Sequence, residues 1–148
     1  MKVTMLLADY AQAAEGKLNI IGGGWSQIGP EPAPFSIGLK FDVPWDQANH
    51  RFTFVLELVD ADGSPVELPG AEPDGDGGPV RVEGELEVGR PPGLRPGTPI
   101  DAVLAINFGP LPLPPGERLA FRLTVDGEHD EDWTLGFDTR PTPGPPQE

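Results

Sequence analysis

Polar and apolar residues alternate with a period of two along most of this chain, which is the signature of half-buried β-strands. In "HRFTFVLELVD" Phe52, Phe54, Leu56 and Leu58 share one face, while Arg51, Thr53 and Glu57 share the other. "PFSIGLKFDV" sets Phe35, Ile37, Leu39, Phe41 and Val43 against Ser36, Gly38, Lys40 and Asp42. "VRVEGELEV" opposes Val80, Val82, Leu86 and Val88 to Arg81, Glu83, Glu85 and Glu87. "ERLAFRLTV" turns Leu119, Phe121, Leu123 and Val125 inward, and "DWTLGF" adds Trp133, Leu135 and Phe137. Three segments alternate less cleanly. "KVTMLLA" carries Leu6 opposite Val3, Met5 and Leu7, as in a strand covered on both faces. "KLNIIG" is short and ambiguous, and "IDAVLAINF" leaves apolar Val103 and Ala105 on its outward face. No stretch shows a convincing helical period; the best helix candidate is the Ala-rich "ADYAQAAEG", Ala8 to Gly16.

About eight such strands, punctuated by turn residues, predict an all-β fold. The expected form is a two-sheet antiparallel β-sandwich, immunoglobulin-like or a related Greek key, with a flattened barrel as the alternative. Burial at roughly 1.5–3 kcal/mol for each of about thirty inward side chains gives a self-sufficient core. Gly63 in "DADG" fits a tight turn that needs positive φ. "VDGEHDED" predicts a hairpin between 119–125 and 133–137. Residues 69–79 and 89–99 read as long loops. The expected organisation is a single β domain over 1–139 and a Pro-rich flexible tail over 140–148.

Composition sharpens this picture at a few points. The 20 Gly and 20 Pro of the 148 residues sit mostly between the patterned segments, as turn punctuation rather than as a mark of disorder. Cysteine is absent, which excludes disulfides, thiolate metal sites and a Cys nucleophile and suits a reducing, cytoplasmic home. The N-terminal apolar stretch, Val3 to Ala8, is too short for a secretory signal, and no run is long enough for a membrane span. With 10 basic and 24 acidic residues the net charge is −14, the wrong sign for nucleic acid.

Candidate chemistry is sparse. His50 and His129 sit beside polar residues with no nucleophile motif nearby, and Ser26, Ser36 and Ser64 fall in a loop, an outward strand position and a turn. "DGDGG", Asp74 to Gly78, starts like a calcium loop, but Pro79 stands where the turn glycine belongs. The acidic tip around Asp126, Glu128 and Asp130 offers hard oxygen ligands for a divalent metal, against the plainer reading of a solvated turn. In "LNIIGGGWSQIG" the triple glycine lacks the helix and the lysine that a phosphate loop requires, so it marks a bend that aims Trp25. Trp25 and Trp45 are candidates for a ligand-stacking surface, or for plugs over the ends of the core. Outward Val55 and Val59, with Val103 and Ala105, would form an apolar partner surface if their strands were neighbours in one sheet.

The opening "KVTMLLADYAQAAEGKLNIIGGGW", the strand and turn "HRFTFVLELVDADGSPV" and the closing unit "LPLPPGERLAFRLTVDGEHDEDWTLGF" resemble a family of short, uncharacterised bacterial proteins, mainly actinobacterial. The resemblance covers residues 2 to 138 and implies one compact β domain, with no activity or cofactor to carry over. The function expected is a non-catalytic, acidic binding or assembly domain, with no cofactor, acting on a protein partner or on itself as a homodimer. The alternatives are a small-ligand or carbohydrate-binding module using Trp25 and Trp45, and a metal-assisted hydrolase.

Overall fold

The computed structural model describes residues 1–69 and 77–144. Its described residues hold no α-helix; they form curled β-sheets that together make a half-barrel. In chain order the strands are β1 (Lys2–Ala14), β2 (Lys17–Gly23), β3 (Gln27–Ile28), β4 (Phe35–Val43), β5 (Arg51–Asp60), β6 (Glu67–Leu68), β7 (Gly78–Pro79), β8 (Arg81–Glu87), β9 (Ile100–Phe108), β10 (Arg118–Val125) and β11 (Thr134–Thr139). A four-stranded sheet runs β2-β1-β4-β9 and a five-stranded sheet runs β3-β11-β10-β5-β8, with β6 and β7 paired separately. Neighbouring strands are antiparallel except β3 and β11, where Asp138 faces Gln27 and Thr139 faces Ile28 in parallel. The all-β class matches the alternation. The curled half-barrel lies between the flat sandwich and the closed barrel that the alternation leaves open.

The inward rows read from the sequence meet in one buried cluster drawn from both main sheets, including Ile37, Leu39, Phe41, Leu56, Leu58, Phe121, Leu123 and Phe137. An aromatic column ties the two sheets together. Phe35 stacks on Phe108 at 5.0 Å, Phe108 on Phe121 at 5.4 Å, and Phe121 on Phe137 at 5.6 Å between ring centroids. Such offset pairs add directional preference to area burial, so they fix how the sheets face each other.

The Ala-rich helix candidate is a strand. Residues 8–14 pair with β2 from Ala8↔Gly23 to Ala14↔Lys17, leaving a two-residue turn at Glu15 and Gly16. Both turn residues have positive φ, 52° and 72°, as in the primed turns whose twist suits a hairpin. The ambiguous "KLNIIG" becomes the edge strand β2. Beyond it, Gly22 and Gly24 have φ of 61° and 93°, so the glycines do end the strand in a bend.

This hairpin folds back over the outer face of the four-stranded sheet. Gly38 points away from the core, and a Cβ there would lie 3.3 Å from Ile20 Cδ1 and 3.6 Å from Leu18 Cδ1. Both β1 and β2 reach β9 although β4 separates them in the sheet. Ala8 and Ala11 are fully buried. The small residues on this face are what let the hairpin approach so closely. The acidic "VDGEHDED" connection is built from two turns. Asp126 and Gly127, both with positive φ, close the tight one, where Val125 and Glu128 exchange backbone hydrogen bonds of 2.9 Å.

Candidate functional site

The two candidate tryptophans stand at opposite ends of β4. Its nine residues at roughly 3.3 Å each separate the ends by roughly 26 Å, so the two indoles form no common platform. Trp25 packs edge-on against Phe35, at the start of β4, with ring centroids 6.1 Å apart. It is half-buried against the core and its indole Nε1 is buried without a hydrogen-bond partner. That donor is already sealed from solvent, while the ring itself is only partly covered. Trp25 also lines an open cleft of about 460 Å³ with Asp9, Gln27, Glu31, Pro32, Pro34 and Arg140.

Trp45 follows the other end of β4. Pro44 cannot donate to a sheet ladder, so the strand stops at Val43 and Trp45–Gln47 form one turn of 3-10 helix. The ring is held from the 89–99 loop. Arg90 stacks its guanidinium 4.3 Å from the ring centroid and donates from Nη2 and Nε to the Trp45 carbonyl at 2.8 and 3.2 Å. Trp45 lines an open groove of about 600 Å³ with Met1, Lys2, Asp42, Pro44, Asp46, Gly97 and Pro99. Asp42 is held by Lys40, whose Nζ donates to it at 2.8 Å and also lies 3.1 Å from Asp101. Those bonds, to Asp42 first and Asp101 second, raise the Lys40 pKa above its ordinary value. Pattern reasoning could not find the Arg90 stack, because 45 residues separate the partners and neither alternates in a strand.

The acidic tip lies at this same end. Asp126, Glu128, Met1, Gln47, Phe52, Val125 and Trp133 line a cleft of about 170 Å³. Two of the tip's carboxylates, Asp126 and Asp130, are engaged. Asp126 Oδ1 accepts the Thr53 N–H at 2.9 Å and Oδ2 lies 3.6 Å from His50 Nε2. Asp130 Oδ1 accepts the Asp132 N–H at 3.0 Å. Among the described residues no group of three or more His, Asp or Glu is placed to hold a metal ion. His50 rests edge-on against Phe52 at 4.7 Å, and His129 Nδ1 lies 2.8 Å from the Leu123 carbonyl oxygen. Asp74 and Asp76 of the calcium-like stretch lie outside the described residues, as do residues 145–148 of the tail.

The four outward aliphatic residues do not join. Val55 and Val59 belong to the five-stranded sheet, and Val103 and Ala105 to the four-stranded one. Val59 is buried, its backbone bridged to Pro65 in the turn that Asp60 closes by accepting the Asp62 and Ser64 N–H groups. Ala105 pairs with Gly38 beneath the folded-back hairpin. Val55 and Val103 stay half-buried, each on its own sheet.

A different apolar surface stands in their place. The large hydrophobic side chains exposed among the described residues are Tyr10, Ile20 and Ile21, at 47%, 36% and 65%. All three lie on the β1–β2 hairpin, where Tyr10 pairs with Ile21 across the strands. Strand β2 has β1 on one side and, among the described residues, no strand on the other.

Among the described residues no helix is long and apolar enough to cross a membrane. Neither a curated protein nor a solved structure matches the chain. A family profile does, over residues 3–137 and so over nearly all of the ordered β framework, and the chain belongs to that family, DUF6941, a family of unknown function.

Proposed function

We propose that this protein is a non-catalytic binding domain that works by associating through the β1–β2 hairpin, first of all with a second copy of itself. One observation carries the reading: the exposed large hydrophobics gather on a single sheet edge. An edge strand presents unpaired N–H and C=O groups, and soluble proteins commonly guard such edges with charge, proline or cover. Strand β2, "KLNIIGG", has one lysine at its start, no acidic residue and no proline. On a chain of net charge −14 it is a stretch free of negative charge, where two copies repel least. An antiparallel pairing of two β2 strands would satisfy both edges and add cover to Ile21 and Tyr10, which pair on one face of the hairpin, in a two-fold interface. The non-catalytic part is supported by the engagement of His50, His129, Asp126 and Asp130 in hydrogen bonds, ion pairs and turns. A cytoplasmic location belongs to the same proposal, resting on a cysteine-free composition.

A single edge buries little area, so the association is weak. Sedimentation velocity tests it at protein concentrations up to roughly 100 µM, where about 5.5 kcal/mol of association half-populates a dimer. The wild type should shift toward dimer across that range and Ile21→Lys should stay monomeric. A wild type that sediments as a monomer throughout, or a variant that associates equally well, would overturn the proposal.

A further inference from the structure

We infer that the Trp45 groove is a binding site for a neutral, polyhydroxylated ring, that is, a carbohydrate unit. This goes beyond the association proposed for the hairpin, and uses the opposite kind of surface. The groove is open, about 600 Å³, and its walls are mainly apolar: Trp45, Pro44, Pro99 and Met1. A volume of that size suits one or two sugar rings.

The polar groups at the groove decide the class of ligand. Asp42 and Asp46 supply acceptors and Lys2 supplies donors, so both kinds of hydrogen-bond partner surround one aromatic platform. Their charges nearly cancel. Around the platform Lys2, Lys40 and Arg90 stand against Asp42, Asp46 and Asp101, with Lys40 lying 2.8 Å from Asp42 and 3.1 Å from Asp101. A cationic or anionic ligand would therefore gain little net attraction, despite the acidity of the chain as a whole. A sugar ring has an apolar face of C–H groups for the indole and a rim of hydroxyls that donate and accept. Those are the two features that the groove offers together.

The platform is also set in advance. Arg90 stacks at 4.3 Å on the ring and clamps the Trp45 carbonyl with two hydrogen bonds, while Pro44 restricts the backbone just before it. Ordering the indole is then part of folding rather than a cost of binding. Trp25 packs edge-on against Phe35 with its indole N–H buried, so that N–H is not available to a ligand.

The test uses the full ¹⁵N-labelled chain, with cellotriose, maltotriose and triacetylchitotriose as probes and triarginine as the charged comparison. At least one sugar should shift the Trp45 indole N–H resonance saturably, with little change in affinity when salt is raised. Trp45→Ala should weaken that binding by at least tenfold and Asp46→Asn by about threefold to tenfold. Trp25→Phe should leave it unchanged. Because Trp45→Ala removes packing, Asp46→Asn, which keeps the platform, serves as the independent check. Titrations in which none of the three sugars gives a saturable Trp45 shift would overturn the inference. So would sugar binding that survives both groove variants, or salt-sensitive triarginine binding at Trp45 in place of the sugars. The sedimentation behaviour of the hairpin is unaffected by any of these outcomes, so the two proposals fail separately.

Discussion

Trp25 and Trp45 are both half-buried, both flank β4, and both follow a residue with special backbone geometry, glycine in one case and proline in the other, yet their surroundings differ. Trp25 leaves the positive-φ Gly24 and is pressed edge-on against Phe35, its N–H sealed away without a partner. Trp45 leaves Pro44 into a single 3-10 turn and is clamped by Arg90 at the rim of a wide groove. The difference arises in the neighbours rather than in the residue. An aromatic column awaits the first indole, and a long loop carrying an arginine awaits the second. An exposed-looking tryptophan in a sequence is therefore defined by what lies across from it.

The largest effect that bears on this contrast is on stability. Trp25→Ala removes a ring packed on the aromatic column and should cost about 2–4 kcal/mol, below the upper end for core aromatics because the site is half-buried. Chemical denaturation of Trp45→Ala should show a smaller loss, about 1 kcal/mol. Equal losses would erase the distinction between plug and platform. Trp25→Phe separates packing from polarity. The phenyl ring keeps part of the contact and removes a buried donor whose unsatisfied state costs about 1–3 kcal/mol, so the net change should stay within about 1 kcal/mol. In variants that keep Trp25 or Trp45 as the sole indole, with Trp133 and the other replaced by Phe, acrylamide should quench Trp45 fluorescence well and Trp25 poorly. Arg90→Ala should cost at most about 1 kcal/mol, the scale of an exposed cation–π contact, and should red-shift the Trp45 emission as water reaches the ring. The smallest effect concerns Lys40, beside the groove. Its raised pKa comes from Asp42 and then Asp101, so the contribution is present below the lysine's unfolded-state pKa and is lost as pH rises through the raised folded value. Lys40 and Asp101 are well exposed and Asp42 only partly covered, so Lys40→Met should lower the melting temperature by only about a degree at neutral pH, and the gap should close in the alkaline range.

How much of this was legible in the sequence follows from whether the deciding contacts are local. Strands β4, β5, β8, β10 and β11 were legible because each alternates strictly against a single core, and a one-residue slip would turn every apolar side chain outward. Residues 8–14 were not. Alanine favours helix when nothing else acts, but here Ala8 and Ala11 are the small side chains that let a hairpin lie against a neighbouring sheet face. The covering of Gly38 by Ile20 joins segments whose proximity no local pattern records. The partner surface suggested by Val55, Val59, Val103 and Ala105 depended on strand order, which alternation does not carry. Placing β5 and β9 in different sheets separates it. The real exposed patch was visible only in retrospect: Ile20 and Ile21 are consecutive, so whichever face a strand buries, one of them points the other way.

That patch is the centre of the functional reading, and amide hydrogen exchange resolved by residue tests it most directly. If β2 pairs with β2 of a second copy, backbone amides of residues 17–23 that face away from β1 should gain protection as protein concentration rises. Amides in β4 and β10 should stay equally protected at every concentration. Exchange in β2 that is independent of concentration, or concentration-dependent protection that appears on another edge instead, would contradict the account.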